Sequence, residues 1–258
     1  MEYRANPESS SVTAALNTLL IASCLICGQP PQSPIPTYIH QLVKGPDSVY
    51  RPSVATYTPQ PGDLVFYDDY NVKWGILYKY VGSGPPFHSG IFFRRPDGTM
   101  ALVESGPDDS HNVYVLDAVP RLHQFQNQFR GDIWIRKVRK PLSKQASDRL
   151  TTFALAQEGK KYALGRLLLQ GTCFRCRGHF REKWFGCTDL NKKRWLCSEL
   201  VVAAGTVAGL FDPKICPANA IYPRDIIDNH KYPIGHIWQD AALWRPTATP
   251  VIRSLIPR

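Results

Sequence analysis

The chain has 258 residues, 43% of them hydrophobic and 20% charged, an ordinary globular composition that excludes a disordered or collagen-like protein. At roughly 100–200 residues per domain it holds one large domain or two small ones, long enough to bury a full core. Lys and Arg number 31 against 21 Asp and Glu, and the net charge of +10 favours anionic partners without choosing among nucleic acid, a membrane surface and an anionic wall polymer.

Residues 1–57 read as a leader and a Pro/Ser/Thr-rich approach. The longest apolar run, Ala14 to Cys27, is AALNTLLIASCLIC. It falls short of the 18 or so apolar residues that a membrane span needs. Two readings of it stand. As a secretory segment it ends in the lipobox-like Ile21-Ala22-Ser23-Cys24, and cleavage before Cys24 leaves a lipid-modified cysteine on the tether GQPPQSPIP. The protein is then exported or membrane-anchored. As a short buried helix it leaves the protein cytoplasmic. Against the secretory reading, Arg4 is the only basic residue of the n-region and faces Glu2 and Glu8.

Residues 58–258 read as one domain, sheet first and helices second. LVFYDD (64–69) is a strand entered from the turn Pro61-Gly62. HSGIFFRR (88–95) and TMALVES (99–105) are two more, joined through the turn Pro96-Asp97-Gly98. VYVLDA (113–118) and DIWIRKVR (132–139) extend an antiparallel meander. Residues 143–158 follow as an amphipathic helix, with Ser143 or Ser147 as cap and Leu150, Phe153, Ala154 and Gln157 at i, i+3, i+4, i+7. A second helix runs over 197–209 and ends near Gly209. Residues 210–258 are Pro-rich and wrap a surface; with 22 prolines in the chain, long ordered loops are expected.

Between the two helices lies the insert 173–195, with seven Lys/Arg against two acids, half of the whole net charge. Cys173, Cys176, His179 and Cys187 offer a Cys3His ligand set, although the spacing is not that of a standard finger. A disulfide or plain thiols are the alternatives, and in an exported protein a disulfide is preferred over zinc. The seven cysteines are an odd count, so at least one thiol stays unpaired or pairs between molecules. The charge of the insert reads as a solvated loop, or as a lip attracting an anionic substrate or membrane headgroups.

Two pieces carry chemistry. With a three-residue loop at Pro96–Gly98, Gly90 faces Glu104. His88 shares the face of Gly90, which makes Glu104 its diagonal neighbour, roughly 7–8 Å away between backbones. A carboxylate in reach of an imidazole fixes its tautomer and stabilises the imidazolium. A two-residue loop would turn the pair to opposite faces. In either register the plain alternative is a satisfied, half-buried His88 and a surface carboxylate at Glu104. The second piece is Cys197, which opens the helix CSELVV. The first turn of a helix offers a positive dipole end and free N–H groups, which favour a thiolate and can cradle an oxyanion. The plain alternative is a small buried hydrophobe.

Pro61-Gly62-Asp63-Leu64-Val65-Phe66, His88-Ser89-Gly90-Ile91 and Val103-Glu104-Ser105 resemble the sheet half of the NlpC/P60 cysteine peptidases. Cys197-Ser198-Glu199-Leu200-Val201 resembles their catalytic-cysteine helix. In this chain that helix follows the histidine strands instead of preceding them. This order resembles the circularly permuted papain-like branch, the YiiX/YebB-like cysteine hydrolases, distant relatives of the LRAT-type acyltransferases. GPDDSHNVYVLDAVPRL after Glu104, Gly159-Lys160-Lys161-Tyr162 and Pro223-Arg224-Asp225-Ile226 add to the resemblance, which spans about residues 58–228. It implies an α+β fold, an antiparallel sheet followed by the cysteine helix, and a thiol hydrolase acting through an acyl-thioester. Cys197 is then the nucleophile, His88 the general base and acid, and Glu104 the residue that orients His88. Tyr162 stands where the family carries a tyrosine near the oxyanion; otherwise it is a core aromatic. Lys161 and Ala163 depart from the family's Gly-Lys-Pro-Tyr-Asp, and the basic insert is long; both bear on substrate more than on the triad.

The resulting expectation is a thiol protease or amidase acting on peptide amide or isopeptide bonds, cell-wall peptides among them, with no cofactor and no metal. One alternative keeps the fold and transfers or hydrolyses the acyl groups of lipids. Another is a non-enzymatic zinc knuckle binding nucleic acid, which the reading disfavours as a partner.

Overall fold

A computed structural model describes residues 35–106 and 111–249, apart from the side chain of His179. The apolar run 14–27 with Cys24 and Cys27, and positions 107–110 of the run after Glu104, lie outside the described residues. The chain divides at Ile35, and residues 36–258 form one unit.

That unit is α+β, built on an eight-stranded antiparallel sheet. Its strands are β1 (Tyr38–Lys44), β2 (Tyr50–Thr56), β3 (Leu64–Asp68), β4 (His88–Arg94), β5 (Met100–Ser105), β6 (Val113–Asp117), β7 (Asp132–Arg136) and, after two short strands that pair elsewhere, β10 (Ala242–Arg245). Their order across the sheet is β2-β1-β10-β7-β3-β4-β5-β6. From β3 to β6 this is the expected meander. β7 does not extend it beyond β6, but returns to the far side of β3, register Val65 to Ile135. The intervening helix α2 (Ala118–Phe129) makes the return possible. Residues 38–56, which the sequence suggests are part of the approach, form the hairpin β1–β2, which β10 links to β7.

The central strands are buried on both faces, so alternate residues enter two cores. Leu64, Phe66, Ile91, Phe93, Val103 and Trp134 face one core, shared with α3 (Lys144–Gln157) and α6 (Cys197–Val207). Val65, Tyr67, Phe92, Leu102, Ile133 and Ile135 face the other, under Leu122 and Phe125 of α2. α3 begins where Ser143 accepts a hydrogen bond from the Ala146 N–H at 3.2 Å, and it buries the predicted Leu150, Phe153, Ala154 and Gln157. α6 is buried along residues 197–205, as a helix apolar on every side must be. It stops at Gly209, whose φ of +78° suits glycine.

Near the start of α6 lie α1 (Val72–Tyr80), the parallel pair β8 (Lys161–Tyr162) and β9 (Arg194–Trp195), α4 (Leu164–Leu169) and α7 (Pro223–Ile226), while α5 (His179–Phe185) contacts Asn219 and Tyr232. Tyr78, Val81, Tyr162, Leu167, Leu196 and Tyr222 from these pieces form a third, small apolar cluster.

Candidate functional site

The β4–β5 hairpin has the register that a three-residue loop gives, Gly90 opposite Glu104, with the Arg95 N–H donating to the Thr99 carbonyl at 2.8 Å. His88 and Glu104 are therefore diagonal neighbours on one face. The His88 Nε2 lies 3.4 Å from a Glu104 carboxylate oxygen, and both residues are 3% exposed. This Nε2–Glu104 contact leaves Nδ1 as the nitrogen for a second partner.

Glu104 has a further partner that sequence reasoning missed. Arg121 of α2 donates to its other oxygen at 2.7 Å, and the guanidinium is also buried. Burial opposes ionisation of Glu104, but the His88 imidazole and the Arg121 guanidinium overcome it and hold the carboxyl below its ordinary value of 4.5. Tyr67 of β3 stacks on the His88 ring with centroids 5.4 Å apart and planes at 23°, which restrains the imidazole from the other side. The Arg121 guanidinium in turn lies over the Tyr67 ring at 5.9 Å. Burial, with the neighbouring Glu104 carboxylate, pushes the Tyr67 hydroxyl well above its usual pKa, so it stays protonated.

Cys197 is the first residue of α6. The N-terminus of this helix is capped from within, as Glu199 accepts the Leu196 N–H at 3.2 Å. Lys192 at 3.5 Å and Arg166 hold the Glu199 carboxylate, so that buried charge is paired. Ser198 donates to the Ile221 carbonyl at 2.6 Å and pins the turn that carries the thiol. Cys197 lies beside His88. Burial disfavours the charged imidazole, yet Cys197 and Glu104 together raise the His88 pKa to about 10 from its ordinary 6.5. The structure thus brings Cys197, His88 and Glu104 into one site, at the end of the sheet where β4 begins.

Tyr78 roofs this site, in a cluster with two further tyrosines. The Tyr78 hydroxyl is 4.0 Å from the Cys197 sulfur, which also lies 3.9 Å from the Phe87 carbonyl. Tyr162 and Tyr222 belong to the same cluster as Tyr78, and the Tyr222 ring lies 6.0 Å from that of Tyr78. Tyr162 is buried close enough to Tyr78 to disfavour ionisation of the Tyr78 hydroxyl, after burial and Cys197. Arg177 covers the Tyr222 ring at 4.0 Å and grips Asp225 with two donors. Under this roof Cys197 is only 2% exposed. A surface cleft of about 990 Å3 lies elsewhere, lined by Pro59, Arg94, Leu142 and Thr151.

The insert is folded around short pieces. The Asn219 amide nitrogen lies 3.2 Å from the Cys187 sulfur and 3.8 Å from that of Cys176. Cys173, Cys176 and Cys187 are all free thiols. Among the described residues no group of three or more metal-ligating side chains converges; the His179 side chain is outside that description.

No protein family matches the chain by sequence, and no curated protein matches it. Among solved structures, the metalloprotein YiiX of Escherichia coli O157:H7 (DUF1105) is similar at 17% identity over 68% of this chain and 95% of that one, with a TM-score of 0.44. A likeness of that size assigns no role to any residue of this chain.

Proposed function

We propose that the chain is a cysteine-nucleophile hydrolase of the circularly permuted papain-like, NlpC/P60 type, cleaving amide or isopeptide bonds through an acyl-thioester. The observation that carries this reading is the line Cys197–His88–Glu104–Arg121, in which a helix-first-turn thiol meets an imidazole held by a buried, charge-paired carboxylate.

In the proposed reaction the Cys197 proton has already passed to His88 Nδ1, and the sulfur attacks the substrate carbonyl carbon. Glu104 stabilises the imidazolium at Nε2 and keeps the ring oriented. The N–H groups of the first turn of α6 face the developing oxyanion, with Tyr162 as an added hydroxyl donor. Collapse breaks the C–N bond, and His88 returns the proton to the leaving amine. A water then adds to the thioester with His88 as base. The carboxylic acid leaves and the Cys197 thiol is restored. Tyr78, which carries no signal of this role in the sequence, must move from the sulfur before substrate can enter.

A second reading, hydrolysis or transfer of lipid acyl groups, uses the same steps. It draws support from the apolar side chains exposed beside the site, Ile76 at 67% and Leu168 at 46%.

The test is intact-mass analysis after exposure to p-nitrophenyl acetate. The expected outcome is a single acetyl group on Cys197, absent from His88→Ala. Acetylation spread over Cys173 and Cys187, and indifferent to His88, would sink the proposal. Peptide amides and acyl lipids, assayed in parallel, then separate the two substrate classes.

A further inference from the structure

The roof over Cys197 has an outer surface as well as an inner one. α1 turns Trp74, Leu77 and Tyr78 toward the small apolar cluster. Its other side carries Val72, Ile76 and Tyr80, spaced by four and 73%, 67% and 56% exposed. α4 repeats the arrangement, with Leu167 inward and Leu164, Leu168 and Leu169 outward. The two helices meet at this cluster, and Tyr80 packs directly over Gly171, where a Cβ would lie 1.9 Å from its ring. Their outward stripes therefore form one surface, continued by the exposed Phe174.

Scattered exposed apolar residues need no explanation, but a contiguous stripe does. The charge around this one is also one-sided. Residues 72–80 and 164–175 contain no acid at all, and besides Arg166, which is held by Glu199, they carry Lys73, Lys79 and Arg175. A polyanion would use those cations and have no need of the stripe. Apolar side chains flanked by long cations that can reach past them are what an anionic lipid interface takes up: the side chains enter the acyl boundary and the cations stay at the headgroups.

We propose that α1, α4 and the loop through Phe174 dock on an anionic lipid bilayer, and that docking draws α1 and Tyr78 off Cys197. The docking half stands on the surface alone; the uncovering half rests on Cys197 being the nucleophile. Binding energy gained on the outer face of α1 is then what offsets breaking its inner contacts.

The experiment uses the full chain with phosphatidylcholine vesicles, with and without phosphatidylserine. The protein should sediment with the phosphatidylserine vesicles, less so as salt is raised. Iodoacetamide labelling of Cys197, read by peptide mapping, should quicken when those vesicles are present. Ile76→Glu together with Leu168→Glu should weaken sedimentation roughly tenfold while leaving the melting temperature unchanged, since both side chains point to solvent. Sedimentation that fails, or that ignores the double substitution, overturns the docking surface. Heparin binding as tight as vesicle binding, and equally indifferent to the substitution, overturns it in favour of charge alone. Sedimentation without faster labelling overturns the uncovering half. His88→Ala separates the two readings: if it leaves Cys197 labelling unchanged, the nucleophile assignment fails while the sedimentation result still stands.

Discussion

Arg121 shows how a buried charge can be held for the sake of its neighbour. Its guanidinium pairs with Glu104 out of water, and Glu104 in turn faces His88. Arg121→Leu would strand the carboxylate, and a broken buried pair costs about 3–5 kcal/mol. Denaturant unfolding should show that loss, and NMR titration should show the His88 pKa moving. The same groups set the pH range. The His88 pKa is raised from 6.5 to about 10, so its stabilising contribution is complete below pH 6.5 and lost as pH climbs through about 10. Glu104 is depressed below 4.5, so its contribution is complete above that value and lost as pH falls. If imidazolium is the working form, the alkaline limb of activity should fall near pH 10, and Glu104→Gln should move it to lower pH. A limb that ignores this substitution would remove Glu104 from the proposed role. His88 and Glu104 were legible because a short hairpin converts sequence spacing directly into contact. Arg121 was not, because a cation in a Gln-rich stretch reads as solvated surface, and only the return of the chain over the sheet buries it.

Among the elements, the β4–β5 hairpin has the tightest tolerance. A Cβ on Gly90 would lie 2.8 Å from the Leu102 side chain and 3.1 Å from the Val103 carbonyl, beside the strand that carries Glu104. Gly90→Ala should push β5 away, at a cost of roughly 1–3 kcal/mol as in other overpacked cores. Activity should fall further than stability, since Glu104 moves with β5. Comparing turnover with the unfolding midpoint checks this, and an unchanged rate would mean the hairpin is looser than its packing suggests. α3 was readable from its periodicity and its serine cap, and α6 from its apolar run and its end near Gly209. α1 and α2 were not. The nine residues of α1 put apolar groups on two opposite sides, which blurs its period. α2 buries Ala118, Arg121, Leu122 and Phe125 at regular helical spacing, but Pro120 and a charged member disguise the stripe.

At the scale of the whole molecule, the sequence pointed to the class of the fold and missed its closure. Four residues, Ala242–Arg245, are too few to announce a strand, yet they lie in the middle of the sheet. Trp244, fully buried there, pairs with Ile39 on one side and Ile133 on the other. Arg136 makes a similar link, donating to the carbonyls of Ile226, Asp228 and Gln239 at 2.9–3.0 Å. The placement of β10 has a consequence for synthesis on the ribosome. The hairpin β1–β2 is made first, but its place in the sheet exists only once residue 245 has emerged, nearly two hundred residues after the hairpin. Until then β7 presents an open edge, the kind of surface to which another nascent chain or a chaperone can add a strand.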